Sequence, residues 1–419
     1  MVKTEHNEVA PAQYELAPIF STSNIATDHN QLTMELIQRI AKKHGLVALL
    51  NEKPFEGING SGKHNNFSLS TDTGINLLEP GETPYENAQF LLFLCAIIKA
   101  VDEYQDLLRL SVASAGNDHR LGANEAPPAI ISIFLGDELT EVLEAIEKGI
   151  SYDGKDREFM KIGAHVLPKF TKDTTDRNRT SPFAFTGNKF EFRMVGSSDS
   201  IAPSTVVLNT IVAEAFKEAA DELEKAEDFD TAVHDMIKQM LSEHKRIIFN
   251  GNGYSDEWVK EAERRGLPNI RSMVDAIPAL VTEETISLFE KFHVFTRAEL
   301  ESRAEIKYEN YAKAINIEAR TMIDMASKQI IPAIIKYTRS LADTVNSVRE
   351  AGVDPQVQAD LLKEITVLLG QTKEALDVLK KVTEEAAAME EGERQARYYH
   401  DSVLPGDGRT APSGKMSWK

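Results

Sequence analysis

The sequence holds a single cysteine, Cys95. One thiol cannot build a disulfide framework or a cysteine-based zinc site. It lies in the apolar run FLLFLCAII at 90–98 without a charged neighbour, the setting of a buried structural thiol rather than a nucleophile. A reducing compartment, the cytoplasm, follows as the expectation. Long apolar runs are also lacking. The stretch at 90–98 is too short for a bilayer and soon meets Lys99, Asp102 and Glu103. The opening MVKTEHN has no apolar segment of a leader peptide. Positive charge is scarce as well: 47 Lys and Arg against 66 Asp and Glu leave a formal charge of −19. So acidic a chain repels nucleic acid and anionic membrane, and neither is expected as a partner.

What is present supports a folded protein of more than one domain. The chain has 419 residues, 42% of them hydrophobic, enough to bury ordinary cores. Residues 4–20 read as extended structure broken at Pro11 and Pro18. Residues 30–44 read as a helix with Leu32, Leu36, Ile37 and Ile40 on one stripe and Gly45 as its C-cap. The run LVALL at 46–50 reads as a buried strand, and 85–113 as another helix. Gly/Asn/Pro-rich loop and then strand follow around 120–135. From about 200 the chain becomes mostly helical. The region 296–400 is charged and poor in glycine, with Leu361, Leu362, Ile365, Leu368 and Leu369 at helical spacing, the mark of a packing surface between helices. The stretch 405–419 is turn-rich and aperiodic, the pattern of a disordered tail.

The segment GINGSGKH, residues 57–64, resembles a phosphate-binding P-loop but fails its physical requirements. The terminal Ser or Thr that would hold Mg²⁺ is His64. The following NNFSLS alternates polar and apolar, which predicts a strand and removes the helix dipole a P-loop needs behind its phosphates. The glycines then signal tight turning or close approach to a ligand, and His64 is a candidate metal ligand.

The segment NKFEFRM, 188–194, alternates cleanly. In a strand, Lys189, Glu191 and Arg193 share one face and Phe190, Phe192 and Met194 the other. The aromatic face requires a core. The charged face lines water, ions or substrate, since burying unpaired charge is costly; a solvated sheet face with cross-strand ion pairs is the plainer alternative. Glu8 and Glu15 lie in another extended piece at an odd separation, so a regular strand would point them apart. Pro11 predicts a turn or bulge between them that brings both carboxylates to one site. Glu8, Glu15, Glu191 and His64 are a set suited to a divalent cation: oxygen donors favour Mg²⁺, and a histidine is more typical of Mn²⁺ or Zn²⁺. Two segments rich in Asn, Gly and Pro carry Arg120 and Arg177 with Arg179. Both read as loops, and arginine forks bind carboxylate and phosphate.

Four segments, 6–16, 53–70, 117–128 and 177–197, together resemble the glutamine synthetase family, most closely its type III branch. The phrases KPFEGINGSGKHNN, HRLGANEAPPAI and NRTSPFAFTGNKFEFR carry the likeness, which extends from the start of the chain to about residue 400. The resemblance implies an α+β fold: a curved antiparallel β-sheet, a half-barrel, with flanking helices, followed by a long helical region. It implies a catalytic domain over 1–295, a helical region over 296–404 and a tail over 405–419. The implied reaction is ligation: ATP phosphorylates glutamate, and ammonia displaces the phosphate from γ-glutamyl phosphate to give glutamine. Mg²⁺ or Mn²⁺ is the implied cofactor, and a homo-oligomer of stacked rings the implied assembly.

By position, Glu8, Glu15, His64 and Glu191 match the family's metal ligands. Asn59 and Gly60 match its glutamate loop, and Arg120 matches an arginine that binds the glutamate carboxylate. Glu125 matches the flap carboxylate that helps deprotonate ammonium. Arg179 and Arg193 match arginines on the transferred phosphate. His6, Ser68 and Lys189 match nucleotide-side positions, to which Arg179 also belongs. Metals and arginines together offset charge at a transferring phosphoryl group.

Some features depart from the family pattern. A β-grasp domain, and a strand with paired Glu-x-Glu ligands, come before the first of these segments in the family, whereas Met1 stands five residues before His6 here. Asn66 stands where some branches carry a histidine. The spacing from Arg120 to Glu125 suits type III. Two further readings stand beside the synthetase: a non-catalytic fragment or modulator that keeps ATP and metal binding and assembles with a full-length enzyme, and a related ligase joining glutamate to a larger amine.

Overall fold

A computed structural model describes residues 2–55, 58, 60–121, 128–150 and 180–404. It divides into two compact units, 1–297 and 298–419.

The first unit opens with a hairpin of β1 (Val2–Asn7) and β2 (Tyr14–Pro18), antiparallel, with His6 opposite Glu15. The turn between them is built around Pro11, which donates no ladder hydrogen bond. Glu8 N–H bonds the Gln13 carbonyl at 3.0 Å, Gln13 N–H bonds the Ala10 carbonyl at 3.2 Å, and Ala12 adopts φ 55°. Helix α1 (Ser23–Lys43) follows. It begins seven residues before the expected start at 30, and ends at Lys43 with His44 as its C-cap, one residue before Gly45, whose φ is +72°. None of its residues is buried. Residues 46–50 form no strand. Leu46, Val47 and Leu49 are 65%, 85% and 81% exposed, because no neighbouring edge pairs with them among the described residues.

A four-stranded sheet holds the chemistry. Its strands are β3 (Lys63–Phe67), β4 (Ile133–Phe134), β5 (Phe183–Phe185) and β6 (Phe190–Val195), in the order β3-β6-β5-β4. The class is α+β. The sheet is open and mixed rather than wholly antiparallel, since β4 runs parallel to β5 while β3/β6 and β5/β6 are antiparallel. Alternation works here as expected. Phe190, Phe192 and Met194 are fully buried, with Phe183 stacked on Phe190 at 4.6 Å between centroids. Behind this aromatic layer lies α2 (Ala88–Glu103), which buries Phe90, Leu94, Ile97 and Ile98 and sets Phe90 at 5.8 Å from Phe185.

The helix expected over 85–113 breaks at Tyr104, giving α3 (Gln105–Leu110). A short α4 (Ala115–Arg120) then begins at Ser114, whose side chain accepts from Asn117 N–H. Helices α5 (Asp137–Lys148), α6 (Ala202–Leu223), α7 (Phe229–His244), α8 (Asp256–Arg264), α9 (Met273–Ala276) and α10 (Glu283–Lys291) complete this unit. Asp102 of α2 is buried, and binds His244 Nδ1 at 2.9 Å and Arg246 Nε at 2.8 Å. That trio ties α2 to the end of α7.

The second unit is helical: α11 (Arg297–Met325), α12 (Ile331–Glu350), α13 (Gln356–Ala387) and α14 (Glu393–Tyr398), with π-helical turns at Ala326–Ile330 and Tyr399–Val403. Of the stripe on α13, Leu361 and Leu368 are exposed while Leu362, Ile365 and Leu369 are half-buried. No helix of the described residues is long and apolar enough to cross a membrane.

Candidate active site

The hairpin turn gathers the first cluster. Folding back at Pro11 brings Glu8 and Glu15 together with His6. Its Nε2 lies 2.9 Å from Glu8 Oε1 and 3.9 Å from Glu15 Oε2, and one donor atom from each of the three residues falls within 4.8 Å of the others. The two carboxylates are pushed in opposite directions. Hydrogen bonding with Glu15, aided by His6, holds Glu8 below the usual range, while burial and the Glu8 carboxylate push Glu15 above it. Two carboxylates and an imidazole converging so closely have the donor chemistry of a divalent-cation site. His6, expected on the nucleotide side, stands among these carboxylates.

A second cluster spans β3 and β6. Arg193 Nε and Nη2 donate to Glu191 Oε2 at 3.3 and 3.0 Å, the i, i+2 contact that a strand face provides. His64 Nδ1 is 3.6 Å from the same oxygen. Burial works to raise Glu191, but the charge and hydrogen bonds of Arg193, helped by His64, outweigh it and hold the carboxylate low. Desolvation and Arg193 hold His64 down to about 4, although 44% of its side chain remains accessible. His64 is therefore neutral at pH 7, the form that can ligate a metal. His64 and Glu191 do not enter the tight His6–Glu8–Glu15 group; the four expected ligands form two clusters.

Asn51, Glu52 and Ser61 fasten onto the hairpin and its cluster, and with Gln13 they are residues the sequence did not single out. Gln13 Nε2 bonds the carbonyls of Asn51 at 3.0 Å and Glu52 at 3.1 Å, and its Oε1 accepts from Ser61 N–H at 3.2 Å. Ser61 Oγ donates to Glu15 Oε2 at 2.8 Å. Gly60 is required there: a Cβ would stand 2.2 Å from the Glu52 carbonyl oxygen.

Arg120 closes α4 instead of lying in a loop, and is 8% exposed. Its Nε–H donates to Asn117 Oδ1 at 2.8 Å, and Glu52 Oε1 forms an ion pair with the same nitrogen at 2.7 Å. Its Nη2 bonds the Met194 carbonyl at 2.7 Å. Burial lowers the Arg120 pKa and Glu52 opposes the shift. Asn117 in turn bonds the carbonyls of Val112 at 2.6 Å and Met194 at 2.8 Å. Next to it, Asp118 caps α9 by accepting from Met273 N–H at 2.8 Å. Three of four successive residues thus anchor α4, Asn117 and Arg120 to β6 and Asp118 to α9. A cavity of about 480 Å³ opens beside them, lined among others by Glu52, Lys53, Ser114, His119, Arg120 and Asp199.

Ser68 Oγ lies 2.8 Å from Asn76 Oδ1 and 3.0 Å from the Asn188 carbonyl, and Lys189 precedes β6 with its charge felt at Glu191. Asn59, Glu125 and Arg179 lie outside the described residues, as does the stretch 405–419. Cys95 is buried, and desolvation pushes its thiol up to about 12.

Residues 1–131 match the family model described as glutamine synthetase, catalytic domain, and residues 232–349 the model described as glutamine synthetase C-terminal domain. A glutamine synthetase of Butyrivibrio fibrisolvens is 49% identical over 413 residues, covering 96% of this chain and 58% of its own length. The type-3 glutamine synthetase of Dictyostelium discoideum is 47% identical over 413 residues, with 96% and 56% covered. A glutamine synthetase of Bacteroides fragilis (strain YCH46) is 42% identical over 417 residues, with 96% and 57% covered. The chain spans somewhat more than half the length of these relatives.

Proposed function

Because the chain belongs to the glutamine synthetase family, we propose that it carries a glutamine synthetase site and acts in the ATP-dependent amidation of glutamate by ammonia. The observation that carries this reading is the His6–Glu8–Glu15 group, with donor atoms within 4.8 Å of one another. It fits Mg²⁺ or Mn²⁺. Glu8, Glu15 and His6 would hold one cation, and His64 with Glu191 would serve a second. Such cations supply positive charge to the phosphate oxygens as the phosphoryl group transfers.

The chain's own residues do the rest. Arg193, which bonds Glu191 on β6, serves the transferred phosphate, the role its position implies. Lys189 and Ser68 serve the nucleotide, and Arg120 pairs with the glutamate carboxylate in the adjoining cavity. Gly60 allows the loop to approach closely. Asn59, Glu125 and Arg179 keep the roles their positions imply: glutamate contact, ammonium deprotonation, and phosphate contact. The division into a catalytic part over 1–295, a helical part over 296–404 and a tail, the assembly into rings, and a cytoplasmic home belong to the same proposal.

Glutamine formation from glutamate, ammonia and ATP with Mg²⁺ or Mn²⁺ tests the reading. Glu191→Ala is expected to lower the rate by about 100-fold or more, since it removes a ligand and the carboxylate that orients Arg193. Turnover that survives this substitution would sink the ligand assignment.

A further inference from the structure

We propose that Glu52 is a positioning residue for glutamate: it orients Arg120 so that one guanidinium nitrogen is presented to the substrate carboxylate. The proposal rests on the reading of Arg120 as the glutamate arginine. Glu52 is 7% exposed, and a carboxylate is buried this deeply only when it is paired. Oε1 lies 2.7 Å from Arg120 Nε, and Oε2 accepts from Ser197 N–H at 3.2 Å. Arg120 Nη2 is held by the carbonyls of Met194 at 2.7 Å and Val195 at 3.4 Å. Two nitrogens of the guanidinium are thus engaged. Nη1 takes no hydrogen bond among the described residues, and both Arg120 and Glu52 line the cavity. An arginine so fixed selects its anion by geometry, because its orientation is set before the ligand arrives.

Glu52 is itself held from behind. Its carbonyl receives Gln13 Nε2 at 3.1 Å and sits where Gly60 leaves room. The bonds from Glu52 therefore run to β2's approach on one side and to the end of β6 on the other. The carboxylate also offsets the charge of Arg120. Without it the guanidinium would keep its bonds to Asn117 and the Met194 carbonyl but lose the carboxylate paired with it at Nε.

The test is calorimetry of L-glutamate and of Mn²⁺·ATP, each titrated into the full chain, wild type beside Glu52→Ala and Glu52→Gln. The expected result is that Glu52→Ala weakens glutamate at least tenfold while Mn²⁺·ATP stays within twofold. Glu52→Gln, which keeps an acceptor for Arg120 Nε, should recover part of the loss. It also stands in should Glu52→Ala fail to fold, with at least threefold weaker glutamate expected. A merely structural ion pair would weaken both ligands together, and that result overturns the proposal. So does glutamate binding within twofold of wild type in a folded variant. A wild-type chain that binds Mn²⁺·ATP but no glutamate overturns the reading of Arg120, and this proposal falls with it.

Discussion

At the residue scale, burial decides which groups have chemistry to offer. Cys95, pushed up to about 12, is almost wholly protonated at pH 8, so Ellman's reagent should not label the native chain and should label it fully in denaturant. Rapid labelling without denaturant would contradict the packing around α2. Asn117 makes two buried bonds, to Val112 and Met194. Asn117→Ala leaves those carbonyls and Arg120 short of partners, and should cost about 2 to 3 kcal/mol in urea unfolding. Site residues were legible in the sequence when local pattern fixed their geometry. The turn at Pro11 joins Glu8 to Glu15, and strand alternation pairs Glu191 with Arg193. Glu52 and Gln13 were not legible. Their partners lie 38 to 145 positions away, and nothing in the local sequence marks a residue that acts through tertiary contacts. Arg120 was recognised, but its company of Asn and Gly suggested a loop where Ser114 starts a helix.

At the element scale, alternation was the reliable signal and apolarity alone the unreliable one. FEFRM sits on an aromatic core because its period matches the pleat. LVALL has no period and no neighbouring edge among the described residues, and it stays exposed. The start of α1 was missed because the apolar stripe begins only at Leu32, well inside a helix that starts at Ser23 with Thr22 as N-cap. Leu32, Leu36 and Ile40 of α1 stand 55%, 41% and 49% exposed. Such a stripe should bind the dye ANS in native buffer. Leu32→Glu with Leu36→Glu should reduce that fluorescence and leave stability within about 1 kcal/mol, as exposed substitutions do. Gly60 carries a sharper expectation. A methyl at Gly60 would press on the Glu52 carbonyl and displace Ser61 from Glu15. Gly60→Ala should therefore weaken Mn²⁺ binding at least tenfold, read by the electron spin resonance of free Mn²⁺, with the far-ultraviolet dichroism unchanged. Unaltered affinity would mean that the loop does not position the cluster.

At the scale of the whole molecule, the first unit holds the hairpin, the sheet and the cavity, while the second is helical and carries none of the site residues described here. The bulk charge of −19 is consistent with small, cation-accompanied ligands rather than nucleic acid. The family is shown by likeness across nearly the whole chain, yet the chain spans only 58% of the Butyrivibrio relative. Whether these two clusters form a competent site in this chain is therefore the central question. Calorimetry of ATP binding with and without Mg²⁺ or Mn²⁺, for wild type, Glu191→Ala and His64→Ala, tests it most directly. Binding that requires the metal and weakens at least tenfold in both variants is the expected result. ATP binding that ignores the metal or both substitutions, or no binding by a chain shown to be folded, would contradict it.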